Sequence, residues 1–148
     1  MFAGSILKFY DTLLVPLVFE AYVADMAGLV AASSPSSVLE TAVGSGVVTR
    51  ALAPKLNADA RYVKTDLNQS MLDYAAPRQG SDSRIEWRQL DALDLASEDA
   101  TFDVVCCQFA RCFSQQDLRL CRGASCAEAR RSLCFQCLGL QRRECFCQ

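Results

Sequence analysis

Apolar positions in the first third of the chain follow a helical rhythm. Leu17, Val18, Ala21, Tyr22, Ala24, Asp25, Leu29 and Val30 keep roughly a 3.6-residue spacing. The sequence therefore predicts a helix up to the Ser-Ser-Pro-Ser-Ser turn at 33–37, preceded by a shorter helix that breaks at Pro16. Four strand-like runs follow, at 37–42, 60–66, 84–90 and 101–109. Helical patterns separate the first three. One is apolar at Val47, Val48, Ala51, Leu52 and Leu56; the other runs from Asn68 to Arg78, with Asn68 or Ser70 as its N-cap. Strand, helix, strand, helix, strand predicts βαβ units on a parallel sheet, an α/β fold.

Charge and cysteine content divide this pattern in two. Residues 1–109 carry 8 Lys/Arg against 14 Asp/Glu and two cysteines. Residues 110–148 carry 7 Arg, no Lys, 3 acids and seven cysteines. The expected organisation is an N-terminal helical lid over 1–36, an α/β core over 37–109, and an aberrant tail over 110–148. With a net charge of −2, no global basic patch calls for nucleic acid. Asp11, Glu20 and Asp25 interrupt the apolar N-terminal run, which predicts neither a membrane span nor a signal peptide and points to the cytoplasm.

The candidate chemistry lies after the first strand, in "VLETAVGSGVVTRAL". Glycine there permits a tight turn and lets a ligand approach backbone amides with no Cβ in the way. Asp66, at the next strand end, stands at the spacing where a carboxylate receives ribose hydroxyls. A dinucleotide fingerprint needs a third small residue where Thr49 stands, which ranks a nicotinamide oxidoreductase low. The pattern is instead E-x-A-x-G-x-G, with Glu40 immediately before the turn.

Four segments in order, Glu40–Gly46, 62–75, 85–95 and 99–109, resemble the successive motifs of class I S-adenosylmethionine-dependent methyltransferases. The similarity is to the branch holding ubiquinone/menaquinone C-methyltransferases and small-molecule methylases. It implies a Rossmann-like fold with strands in the order 3-2-1-4, helices on both faces, S-adenosylmethionine as cofactor and a small-molecule methyl acceptor. Ala42, Gly44 and Gly46 would lie against the methionine and ribose, with Glu40 orienting the loop. Asp66 would take the ribose hydroxyls and Leu67 would pack on adenine. Asp91 would accept from the adenine amino group, with the Ala92 amide facing the ring. Gln108 would sit near the methionine end and the acceptor, and Tyr10 would belong to the lid. Alanine replaces the family's usual glycine at 42, and Thr41 and Val43 are bulkier than the loop normally carries. The chain has no histidine, so no imidazole base is available from it. Each residue also has a plain structural reading: strand-ending glycines, helix-capping or solvated aspartates, and small buried cysteines at 106 and 107.

The tail fits a metal or redox site poorly. Cys134-x-x-Cys137 and Cys145-x-Cys147 lack the two matched knuckles of a zinc module, although a non-catalytic cofactor-binding module with a metal- or partner-binding tail is the alternative. The codons that the tail permits offer a sharper reading. One base later, 132–139 can spell R-F-V-F-N-V-W-D, 122–131 can spell E-x-R-R-V-L-K-P-G-G, and 114–120 can spell P-N-K-I-S-G-Y. These are the helix end and fifth strand that the family would place there. The expectation is a tail out of frame, a truncated fold with impaired or absent activity, and a fourth strand left as an exposed apolar edge.

Overall fold

The computed structural model describes residues 8–92 and 101–108, together with the backbone of 132–136. The helices are α1 (Tyr10–Phe19), α2 (Glu20–Ala32), α3 (Val47–Leu52) and α4 (Gln69–Gln79). The strands are β1 (Ser37–Thr41), β2 (Arg61–Asp66), β3 (Ile85–Gln89), β4 (Val104–Gln108) and β5 (Ser132–Gln136). All pairings are parallel, in the order β3-β2-β1-β4-β5. The expected 3-2-1-4 arrangement is present, and each strand begins and ends within a few residues of its anticipated place.

Two expectations are corrected. The chain does not break at Pro16. α1 runs through the proline as a π-helix, and the 68° bend lies between Phe19 and Tyr22. Proline has no N–H and crowds the carbonyl four residues back; the wider π winding accommodates both defects. Nor is β4 an unpaired edge. β5 lies parallel beside it, with Val104 opposite Ser132 and Gln108 opposite Gln136. The intervening sequence, 109–131, is long enough for the crossover that a parallel pair requires. The cysteine pairs at 134/137 and 145/147, as metal candidates, lie outside the described side chains.

One face of the sheet is built by alternation. Val38, Tyr62, Val104 and Cys106 point to the side where Val23, Met26, Ala27 and Val30 of α2 meet Val48 and Leu52 of α3. The other face carries Leu39, Val63, Val105 and Phe102. Each large apolar side chain so buried contributes about 2 kcal/mol, an upper bound given a compact unfolded chain. Asp103 ties the starts of β1 and β4 together: its Oδ2 accepts from the amides of Ser36 (2.9 Å) and Ser37 (3.0 Å). Asn68 caps α4 as anticipated, its side chain accepting from the Ser70 amide at 3.1 Å. Among the described residues no single helix is long and apolar enough to cross a membrane; the bent pair α1–α2 passes only by length and composition.

Candidate cofactor site

At the carboxyl end of β1 the backbone enters the left-handed region three times in five residues: Ala42 at φ 53°, Gly44 at 58° and Gly46 at 78°. This is the physical reason for glycines here, and it makes Ala42 the strained member of the three. A Cβ on Gly46 would also stand 3.0 Å from the Cβ of Ala75 on α4, so this glycine closes the helix against the turn. The turn is held from two sides. Val43 donates its amide to the Thr65 carbonyl (3.2 Å), and Gly44 donates its amide to Asp66 Oδ2 (2.8 Å). Asp66 Oδ1 accepts from the Asn68 amide at 2.9 Å. Asp66 thus braces the glycine turn against the end of β2, and each carboxylate oxygen retains a second acceptor position for a ligand.

A shallow cleft, open to solvent, lies over this turn, lined by Phe19, Glu40, Ala42, Gly44, Ser45 and Gln108 with Val43, Val47 and Val48. The structure therefore brings four expected residues, Glu40, Ala42, Gly44 and Gln108, to one cavity. Gln108 donates from Nε2 to the Phe19 carbonyl at 3.4 Å, joining the last turn of α1 to the end of β4. Asp66 belongs to the site through the Gly44 amide. Gly46 faces α4 instead of the cleft. Leu67, 65% exposed, stands at the end of β2 as a bare apolar surface. Beyond β3, Asp91 is exposed and Ala92 buried; neither lines the cleft. The side chain of Tyr10 lies outside the described residues.

Several contributors were missed in the sequence. Ser45 is buried in the cleft wall, and its Oγ has no hydrogen-bond partner among the described residues. A polar group of a bound ligand would satisfy it. Arg50 donates to the Ser45 carbonyl (2.8 Å) and pairs with Asp11 (3.5 Å), whose other oxygen accepts from Tyr74 at 3.3 Å. Desolvation, then the Asp11 charge, raises the Tyr74 pKa. The N-terminal segment is thereby fastened over the turn by charge. Thr49, the residue that spoils a dinucleotide fingerprint, is fully buried and donates to Glu40 Oε2 at 2.9 Å. Tyr62 donates to the same oxygen, and Lys64 approaches it at 3.3 Å. Burial pushes the Lys64 ammonium down to about 8, partly offset by Glu40; burial, then Glu40, pushes the Tyr62 phenol well up.

A parallel sheet ordered 3-2-1-4, with a glycine turn and a cleft at the carboxyl end of its central strand, defines a Rossmann-like cofactor-binding protein. The family model described as a methyltransferase domain matches residues 38–133, and the chain belongs to that family. It is 35% identical over 72 residues to the demethylmenaquinone methyltransferase of Clavibacter sepedonicus, covering 49% of this chain and 28% of that one. Among solved structures it resembles a candidate methyltransferase of Bacillus halodurans C-125 (TM-score 0.61, 24% identity, 78% of this chain and 50% of that one). It also resembles the N-methyltransferase NodS of Bradyrhizobium japonicum WM9, solved with S-adenosyl-L-homocysteine (TM-score 0.55, 23% identity, 62% and 45%). The chain thus spans half or less of the length of these relatives.

Proposed function

We propose that this chain carries the cofactor-binding part of an S-adenosylmethionine-dependent methyltransferase acting on a small molecule. The supporting observation is the cleft over the E-x-A-x-G-x-G turn, with the Glu40 carboxylate and the unsatisfied Ser45 hydroxyl in its wall. These residues suit the methionine end of the cofactor, which offers a carboxylate, an ammonium and a sulfonium. Leu67 offers an apolar surface to an adenine ring, and Asp66 and Asp91 offer acceptors to hydroxyl and amino groups at successive strand ends. Ala92 would place its amide beside the same ring.

When bound, S-adenosylmethionine supplies a methyl group already activated for displacement. The chain's own part is positioning and exclusion of water. The glycine turn admits the ligand, Glu40 orients it, and Gln108 with Phe19 bounds the end where an acceptor would enter. The reading places the protein in the cytoplasm, with no nucleic acid or membrane partner. Calorimetric titration of the full chain with S-adenosylmethionine should give saturable one-to-one binding that NAD does not reproduce. Absence of binding by a folded sample overturns the reading.

We further infer that residues from about 110 onward are read one base out of frame, leaving methyl transfer weak or absent. What supports this is the codon reading itself, in which 122–131 can spell E-x-R-R-V-L-K-P-G-G and 132–139 can spell R-F-V-F-N-V-W-D. Resequencing the gene through codons 105–120 tests it, and an uninterrupted reading as given refutes it. A stoichiometric zinc content in purified protein would instead support the alternative of a non-catalytic module with a metal-binding tail.

A further inference from the structure

The most unusual group in the molecule is a lysine with no exposed surface. Lys64 is 0% exposed and Glu40 3%. The strand register places them side by side, and extends the row to Trp87 on one side and Cys106 on the other. The Lys64 ammonium lies 3.2 Å from the centroid of the Tyr62 ring and 5.5 Å from that of Trp87. It therefore sits inside an aromatic and carboxylate cage beneath the sheet-covering helices.

Such a pair is a poor device for stability. Removing two charges from water costs several kcal/mol per ion, and apolar replacements of similar volume often match or exceed the pair. Its geometry is directional instead. Three donors, Thr49 Oγ1, Tyr62 Oη and Lys64 Nζ, converge on one oxygen of Glu40, Oε2. They hold the carboxylate from the core side. Oε1 takes none of these three bonds, and Glu40 lines the cleft.

We propose that Lys64 is a positioning residue for the cofactor: with Tyr62 and Thr49 it fixes the Glu40 carboxylate from inside the sheet, so that cofactor affinity depends on a lysine that never meets the ligand. This rests on the S-adenosylmethionine reading of the cleft. Thr49, which breaks one cofactor fingerprint, thereby acquires its place in another. The groups facing Lys64 are Glu40 from β1, Tyr62 from β2, Trp87 from β3 and Cys106 from β4, with Asp82 acting at longer range.

The test is a double-mutant cycle on the full chain, reading S-adenosylmethionine dissociation constants by calorimetry with circular dichroism as the folding check. Lys64→Met and Glu40→Gln should each weaken binding roughly tenfold or more, the scale of one lost charge-assisted bond. The double variant should bind no more weakly than Glu40→Gln alone. Additive losses, or Lys64→Met binding within about twofold of wild type, overturn the proposal. Should Lys64→Met fail to fold, Tyr62→Phe removes only one donor to Oε2; unchanged affinity there overturns it equally. A wild-type chain that binds no S-adenosylmethionine sinks the reading of the cleft, a result separable from a wild type that binds and a Lys64 variant that binds as well.

Discussion

Ala42 and Gly46 occupy the same left-handed region with opposite consequences. Ala42, at φ 53°, carries a Cβ where the backbone disfavours one, at a cost of about 1 kcal/mol. Ala42→Gly should therefore raise the melting temperature slightly, by less than that full amount because glycine also loosens the unfolded chain. Gly46→Ala should do the reverse and more: it adds the backbone penalty and drives a methyl to 3.0 Å from Ala75. A loss of about 2 kcal/mol, seen as a drop of several degrees in thermal unfolding, is expected. The order of the two variants is the measurement that counts, and Gly46→Ala being the more stable would contradict the geometry. At this scale the sequence was a good guide to the turn and a poor guide to what surrounds it. Glycines announce left-handed backbone by their identity. Ser45, Thr49 and Lys64 announce nothing, because their importance arises from how the turn, α3 and β2 pack around Glu40. A signal existed all the same: Glu40 and Lys64 are opposite charges at matching positions of two adjacent apolar parallel strands.

Between elements, Arg84 is the main fastener. Its Nε and one terminal nitrogen hold Asp82 (2.9 and 2.6 Å), while both terminal nitrogens reach the carbonyls of Ala53, Leu56 and Asn57 (2.9, 3.1 and 2.8 Å). All five guanidinium donors are thereby spent joining the approach to β3 to the short 3-10 turn Ala53–Lys55 after α3 and the loop beyond it. A lysine cannot reproduce that fork. Arg84→Lys should cost about 2 kcal/mol near neutral pH, measured by urea unfolding. The dependence on acid has a definite sign. The hydrogen bond from Arg84 holds Asp82 below its ordinary carboxylate value. The stabilisation is thus present above the unfolded value of about 4 and lost as pH falls through the lowered one. The gap between wild type and Arg84→Lys should narrow over that window. Apolar periodicity foretold that α2 exists but not which face it buries: Leu17, Tyr22, Ala24, Asp25 and Leu29 of the expected stripe are exposed, and Val23, Met26, Ala27 and Val30 form the buried one. It misplaced the break in the N-terminal helices because a π-helix absorbs a proline by a change of winding that leaves no mark on the hydrophobic pattern.

Across the whole molecule, alternating strand and helix signals made a parallel sheet legible, while the order of its strands came from the resemblance of four successive motifs to one family. The apolar run at 132–138 was expected to be capable of covering the edge of β4, but only by accident. Its residues are apolar enough to extend a sheet whatever reading frame produced them, and a parallel edge at β4 favours any such partner. The family match, continuing to residue 133, crosses the break in composition near 109 and ends within β5. The relatives are longer: the chain spans half or less of the length of those described.

The sequence contains a single tryptophan, and it is Trp87, whose ring lies 5.5 Å from the buried ammonium of Lys64. An indole beside a cation has its excited state shifted by that charge. The protein therefore carries one intrinsic optical probe beside the buried ion pair. A change in the charge of Lys64 should shift its steady-state emission, with no label attached and no competing indole to subtract.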